Sequence, residues 1–157
     1  MINYCALKIN KTNAPVIAAL IYQTYRRFNR KEADKRPFFD YLANFDCSIH
    51  SSDALAEKFK KLNINFAAFS GEKMVGIIRG RNNRLINLFV AGDFHKQGVG
   101  RKLVGLFEHQ AKREGSKFIK LRSSLYAVGF YTRLGYKKTT GVRLFHSLKV
   151  QPMKKII

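Results

Sequence analysis

Gly98 and Gly100, two glycines one residue apart, follow an apolar run (Leu85, Ile86, Leu88, Phe89, Val90) and precede an amphipathic segment in RLINLFVAGDFHKQGVGRKLVGL. That order reads as strand, glycine-bearing loop and helix start, a junction suited to holding phosphate. The first turn of a helix leaves N–H groups without carbonyl partners, and its dipole adds roughly half a positive charge there. Glycine lets the main chain approach an anion closely, and Lys96, Arg101 and Lys102 bring full charges nearby. The implied chemistry is capture of a phosphorylated cofactor. The same two glycines are also compatible with a plain tight turn. The pattern is shorter than the Rossmann fingerprint and lacks the Lys-Ser/Thr ending of a P-loop, which sets both of those motifs aside.

About thirty residues downstream lies a second signal, Ala127-Val-Gly-Phe-Tyr131-Thr-Arg-Leu-Gly135-Tyr136, a short helix that closes on glycine and passes into a strand. Together the two segments resemble the GNAT superfamily, the acyl-CoA-dependent N-acetyltransferases. In that family a strand ending in aliphatic-x-Val, here Leu88-Phe89-Val90, precedes a loop of the form Gln/Arg-x-x-Gly-x-Gly/Ala that binds the CoA pyrophosphate. His95, Lys96, Gln97, Gly98, Val99 and Gly100 occupy that loop, with His95 standing where Gln or Arg is usual. The family's later signature maps onto Ser124, Ala127, Phe130, Tyr131, Leu134, Gly135 and Tyr136, with Ser124 where Asn is usual.

The resemblance implies a mixed α/β fold: a mostly antiparallel central sheet with one splayed parallel strand pair, flanked by helices. It implies acetyl-CoA as acyl donor, held by Leu88, Phe89, Val90, the His95–Gly100 loop, Arg101, Lys102, Ser124 and Ala127. It further implies direct attack of a primary amine on the thioester, with a backbone N–H near Val90 facing the carbonyl oxygen. Tyr131 is then the general acid for the CoA thiolate, because a phenol of pKa near 10 can hand a proton to a thiolate whose conjugate acid titrates near 8.5 with little uphill cost. The general base is not readable: Glu32, Asp34, Asp40, Asp46, Asp53, Glu57, Glu72, Asp93, His50 and His95 form no discriminating pattern. A noncatalytic member of the same fold, binding CoA or nucleic acid through a basic surface, is the competing reading.

The elements around these residues fit one domain. A chain of 157 residues supports one sizeable core and is short for two, so 1–157 reads as a single unit. No apolar run reaches the length of a membrane span, and the N-terminus lacks a secretory pattern, so the expected location is cytoplasmic. Cys5 and Cys47 read as buried small hydrophobes, and four scattered histidines show no metal-ligand spacing. Thirty Lys and Arg against ten Asp and Glu give a net charge of +20, which favours polyanions and repels polycations. Nucleic acid is therefore electrostatically favoured without being the expected partner, and edge strands near the C-terminus leave either a monomer or a homodimer open.

In chain order, a first strand is expected over Ile2–Ile9. A helix capped around Thr12-Asn13 with apolar positions at 17, 20, 21, 25 and 28 follows, then a second through Phe38–Leu42 and a third over Asp53–Leu62 capped by Asp53. Three strands then form an antiparallel meander with turns at Ser70–Lys73 and Gly80–Asn83. The helix after Gly98 runs to Gly115, and a strand-helix-strand crossover leads to a parallel neighbour at Phe118–Leu121. After the short helix, strand pieces are expected at Tyr136–Thr139, Val142–Phe145 and Val150–Ile156.

Overall fold

The apolar spacing at Ile17, Ile21 and Tyr25 does form one face of a helix: α1 spans Ala14–Phe28 and buries those side chains. The structure, a computed structural model, describes residues 1–157. β1 (Ile2–Ala6) precedes α1 and is shorter than the expected strand. Asn13, within the expected capping stretch, is the N-cap of α1 and is followed by a proline in the first turn, and its side chain bonds the preceding loop rather than the helix. α2 (Lys35–Ala43) follows a 3-10 turn at Arg30–Glu32. In α3 (Ser52–Phe59) the capping side chain is Ser51, whose hydroxyl accepts from the Ala54 N–H; the expected cap Asp53 lies inside the first turn, where its charge favours the helix dipole.

The meander is β2 (Ile64–Ser70), β3 (Lys73–Arg81) and β4 (Arg84–Val90), followed by α4 (Val99–Arg113), β5 (Phe118–Ser124) and α5 (Val128–Arg133). Three strands end the chain: β6 (Lys137–Lys138), β7 (Arg143–Phe145) and β8 (Leu148–Ile156). They form one eight-stranded sheet in the order β1-β2-β3-β4-β5-β8-β6, with β7 also on β8. All pairs are antiparallel except β4 with β5.

Two cores sit on opposite faces. On one, α4 and α5 pack Val99, Leu103, Phe107 and Tyr131 against Ile78, Leu85, Ile119, Leu121 and Met153. On the other, α1 and α3 pack Ile17, Ile21, Leu55 and Phe59 against Ala67, Met74 and Ile77. This second core takes no buried residue from β5 or β8, so its helices stop at β4. Gly80 is not a turn residue as expected. It lies in β3, where an added Cβ would strike the Arg84 carbonyl oxygen and come 2.6 Å from the Phe107 ring, and the turn itself is Asn82-Asn83. Cys5 and Cys47 are free thiols and are exposed, not buried, because β1 is an edge strand and Cys47 lies in the turn after α2. No helix is long and apolar enough to cross a membrane.

Candidate functional site

β4 has one bonded edge and one free edge. Toward β3 its register runs Val90 with Gly76, Phe89 with Ile77, Leu88 with Ile78 and Asn87 with Arg79, continued by Ala91 N–H to Val75 O at 2.8 Å. Bonds in an antiparallel pair alternate, so the backbone groups of Asn87, Phe89 and Ala91 face β3 and those of Leu88 and Val90 face the other way. On that other side lies β5, and the two strands pair at a single position, Arg84 with Lys120. Beyond it they part, because β5 stays bonded to β8 all the way to Ser124 opposite Val150. A bulge at Ile86, between the Arg79–Asn87 and Gly80–Leu85 pairs, bends β4 where the parting begins. The result is a cleft edged by the unpaired N–H and C=O of Leu88 and the unpaired N–H of Val90, whose carbonyl accepts from His95. Phe89 contributes no backbone group to it, and its ring packs on the α1 side.

At the wide end of the cleft β4 passes through a 3-10 turn, Gly92–Phe94, into the His95–Gly98 loop and α4. Lys96 and Gly98 both take positive φ, 58° and 82°. The N–H groups of Lys96, Gln97 and Gly98 donate to no backbone carbonyl, and the first bond across the cap is Lys102 N–H to Gly98 O at 3.0 Å. Successive unpaired amides at a helix start form an anion-binding concavity. Nothing lies within 4 Å of where a Gly98 Cβ would be, and the Gln97 amide turns back to the Asp93 carbonyl at 2.7 Å, so the concavity is open. A diphosphate fits these donors. Arg101 and Lys102 are exposed and border, with Gly98 and His109, an open groove of about 410 Å³ along the outer face of α4.

Gly100 is glycine for a different reason: a Cβ there would lie 3.2 Å from the Phe130 ring and 3.8 Å from the Val90 side chain. That contact seats α5 against both α4 and the end of β4. The next residue, Tyr131, is buried in the α4-side core, with its ring 5.1 Å from Phe130 and 5.5 Å from Tyr136. Its hydroxyl bonds no protein group and is not sealed from solvent, and burial of the ring pushes the phenol well above its ordinary pKa. Tyr136 is different: its hydroxyl donates to Glu108 Oε1 at 2.9 Å, a carboxylate also held by Lys155. Ser124 ends β5, and Ala127 packs at the edge of the same core.

Phe28 and Tyr126, which the sequence did not single out, join His95 and the candidate base Glu32 at the mouth of the cleft. The Phe28 ring, at the end of α1, stacks between His95 (4.5 Å) and Tyr126 (5.4 Å), which follow β4 and β5 respectively. His95 Nε2 donates to the Val90 carbonyl at 2.7 Å, so its side chain braces the end of β4. Glu32 reaches across, accepting from the Tyr126 N–H at 2.5 Å and from the Asn29 amide at 3.1 Å. Glu32 is thus the carboxylate, among those the sequence left undifferentiated, that the fold ties to the end of β5. Nothing in its spacing announces this, since its partner lies ninety-four residues away. No group of three or more His, Cys, Asp or Glu is placed to hold a metal ion.

A sequence model described as an acetyltransferase (GNAT) domain matches residues 26–157. No curated protein sequence matches the chain. Among solved structures, a GCN5-related N-acetyltransferase from Rhodopseudomonas palustris superposes with a TM-score of 0.80 at 16% identity, over 99% of this chain and 95% of that one. The PaiA N-acetyltransferase from Thermoplasma acidophilum, solved in complex with coenzyme A, gives 0.75 at 15% identity over 99% of both chains. An aminoglycoside 6'-acetyltransferase type Ii gives 0.71 at 20% identity over 98% of this chain and 96% of that one. These likenesses are of fold. Together with the domain match over most of the length, the split between β4 and β5 and the open amides before α4 place the chain in the GNAT acetyltransferase family.

Proposed function

We propose that the protein transfers an acetyl group from acetyl-CoA to a primary amine by direct attack in a ternary complex. The observation that carries this reading is the coupling of two sets of unpaired groups: Leu88 and the Val90 N–H on the outer edge of β4, and the open amides of Lys96–Gly98 at the same end of the strand. The amides suit a diphosphate, and the free strand edge suits the amide-bearing pantetheine arm.

The amine nitrogen attacks the thioester carbon, and the carbonyl oxygen gains negative charge opposite the Val90 N–H, a fixed donor that stabilises it. The C–N bond forms, the C–S bond breaks, and the thiolate takes the proton of Tyr131. Burial holds the phenol protonated until the thiolate forms. The attacking ammonium must first lose a proton, and Glu32 is the carboxylate positioned at the cleft mouth to take it. The nitrogen loses a second proton as the amide forms; one of the two protons the amine gives up returns to the tyrosinate, and the other leaves to solvent. A net charge of +20 disfavours polycationic acceptors and leaves neutral or anionic amines as the expected class.

Thiol release from acetyl-CoA across a panel of amines, from amino-acid derivatives to a polyamine, tests this. Release should accelerate with at least one neutral or anionic amine, and the acetylated amine should appear in equal amount by mass spectrometry. If no amine accelerates release while calorimetry still detects CoA, the protein binds the nucleotide without catalysing transfer.

A further inference from the structure

The strand registers place five basic residues in one line. Arg81 stands opposite Arg84, Arg84 opposite Lys120, Lys120 opposite Lys154 and Lys154 opposite Lys137, so the line crosses β3, β4, β5, β8 and β6 without a break. Residues paired across strands share a face, and neighbouring strands lie about 4.8 Å apart, so the line extends over roughly 19 Å. Its face is the one that α1 and α3 leave uncovered past β4, while Lys155, one residue on, turns to the opposite face and pairs with Glu108.

None of the five is in a salt bridge. No acidic residue follows Glu114 in the chain. Like charges directly opposite one another destabilise a sheet, so this arrangement opposes folding unless an anion lies across it. Arg84, Lys120 and Lys154 border an open groove of about 450 Å³ together with Arg122, Ile86 and Pro152. Aromatic rings flank the line on both sides: Phe118 lies 5.1 Å from the Lys120 ammonium and 4.3 Å from that of Lys154, and Phe145 lies 3.9 Å from the Arg122 guanidinium. A linear run of cations beside aromatic faces matches the repeating phosphates and stackable bases of a single strand.

We propose that this bare sheet face, which starts at the closed end of the acetyl-transfer cleft, is a binding site for single-stranded nucleic acid distinct from the diphosphate loop. The phosphates lie along the line from Arg81 to Lys137, and bases reach Phe118 and Phe145.

The test is fluorescence anisotropy with a labelled oligouridylate of about fifteen nucleotides, titrated at several NaCl concentrations. Four or five neutralised phosphates predict a slope of log K against log salt of about −3. In the double variant Lys120→Glu/Lys154→Glu the slope should flatten by about 1.4 and low-salt affinity should fall more than about tenfold. Lys8→Glu/Lys11→Glu makes the same charge change at the loop after β1, on the far edge of the sheet, and should leave the slope as in the parent. The first variant should unfold at the same or a higher temperature, since it relieves repulsion; should it fail to fold, Lys120→Gln/Lys154→Gln must show the same flattening. Equal losses in both double variants would reduce the effect to net charge and overturn the proposal. So would displacement of the oligonucleotide by saturating CoA, which would move its site to the diphosphate loop. Binding to phosphatidylglycerol vesicles that depends on Lys120 and Lys154, with oligonucleotide binding that does not, would also overturn it.

Discussion

The two edges of β4 are built from the same seven residues and do opposite things. Toward β3 the strand is bonded from Arg84 to Val90, through a hairpin with a two-residue turn, Asn82-Asn83, and a single bulge at Ile86. Toward β5 it is paired once and then released, because the crossover through α4 imposes no register and each strand stays with its other neighbour. One edge is closed by its neighbour, and the other is left open. The glycines divide in the same way: Gly80, on the closed side, has no room for a side chain, and Gly98, on the open side, has nothing near it.

The largest test of that contrast is Gly80→Ala. The added methyl would collide with the Arg84 carbonyl and the Phe107 ring, and relief requires moving backbone. Overpacking of this kind costs about 3 kcal/mol, which for a domain of this size lowers Tm by roughly 6–12 °C in calorimetry. Gly98→Ala should cost only about 1 kcal/mol, the strain of a positive φ. Gly98→Glu should leave the protein folded and weaken CoA binding by about a hundredfold in titration calorimetry, since a carboxylate would project into the diphosphate site. Unchanged CoA affinity would detach the loop from the proposed function.

Tyr131→Phe comes next. If Tyr131 is the proton donor, the variant should lose about a hundredfold or more in kcat with KM for acetyl-CoA little changed. Because burial raises the phenol's pKa, Tyr131 stays protonated past pH 10, and no alkaline fall in the parent's kcat/KM below that pH comes from it. If the variant's kcat matches the parent's, Tyr131 is a packing residue alone.

The closed edge was legible in the sequence and the open one only by resemblance. Alternating apolar residues and the glycine and asparagine turns are local signals, and they located the meander and α1 to within a few residues. A glycine that makes a turn and a glycine that admits a ring look alike in one dimension, so the sequence puts Gly80 in the turn where the structure puts it in β3. Asp53 and Ser51 can both cap a helix, and only the bond to Ala54 N–H decides between them. The cysteines were expected inside from their residue type, but an edge strand and a loop have no inside to offer. The mouth of the cleft depends on Phe28, Glu32, His95 and Tyr126, whose meeting is a product of topology, and the basic line from Arg81 to Lys137 exists only once five strands are in register.

The mildest perturbation alters no residue. In native-state hydrogen exchange the Asn87 and Phe89 amides, bonded into β3, should be protected to the limit set by local opening of the sheet. The Leu88 and Val90 amides, facing the cleft, should exchange roughly tenfold or more faster in the free protein. Saturating CoA should slow Leu88 and Val90 toward their neighbours while leaving Asn87 and Phe89 where they were, an alternation with period two that a general tightening of the fold would not produce. Equal protection of all four amides without ligand would mean that the outer edge of β4 is already satisfied within the protein, and then no arm of a cosubstrate could pair there.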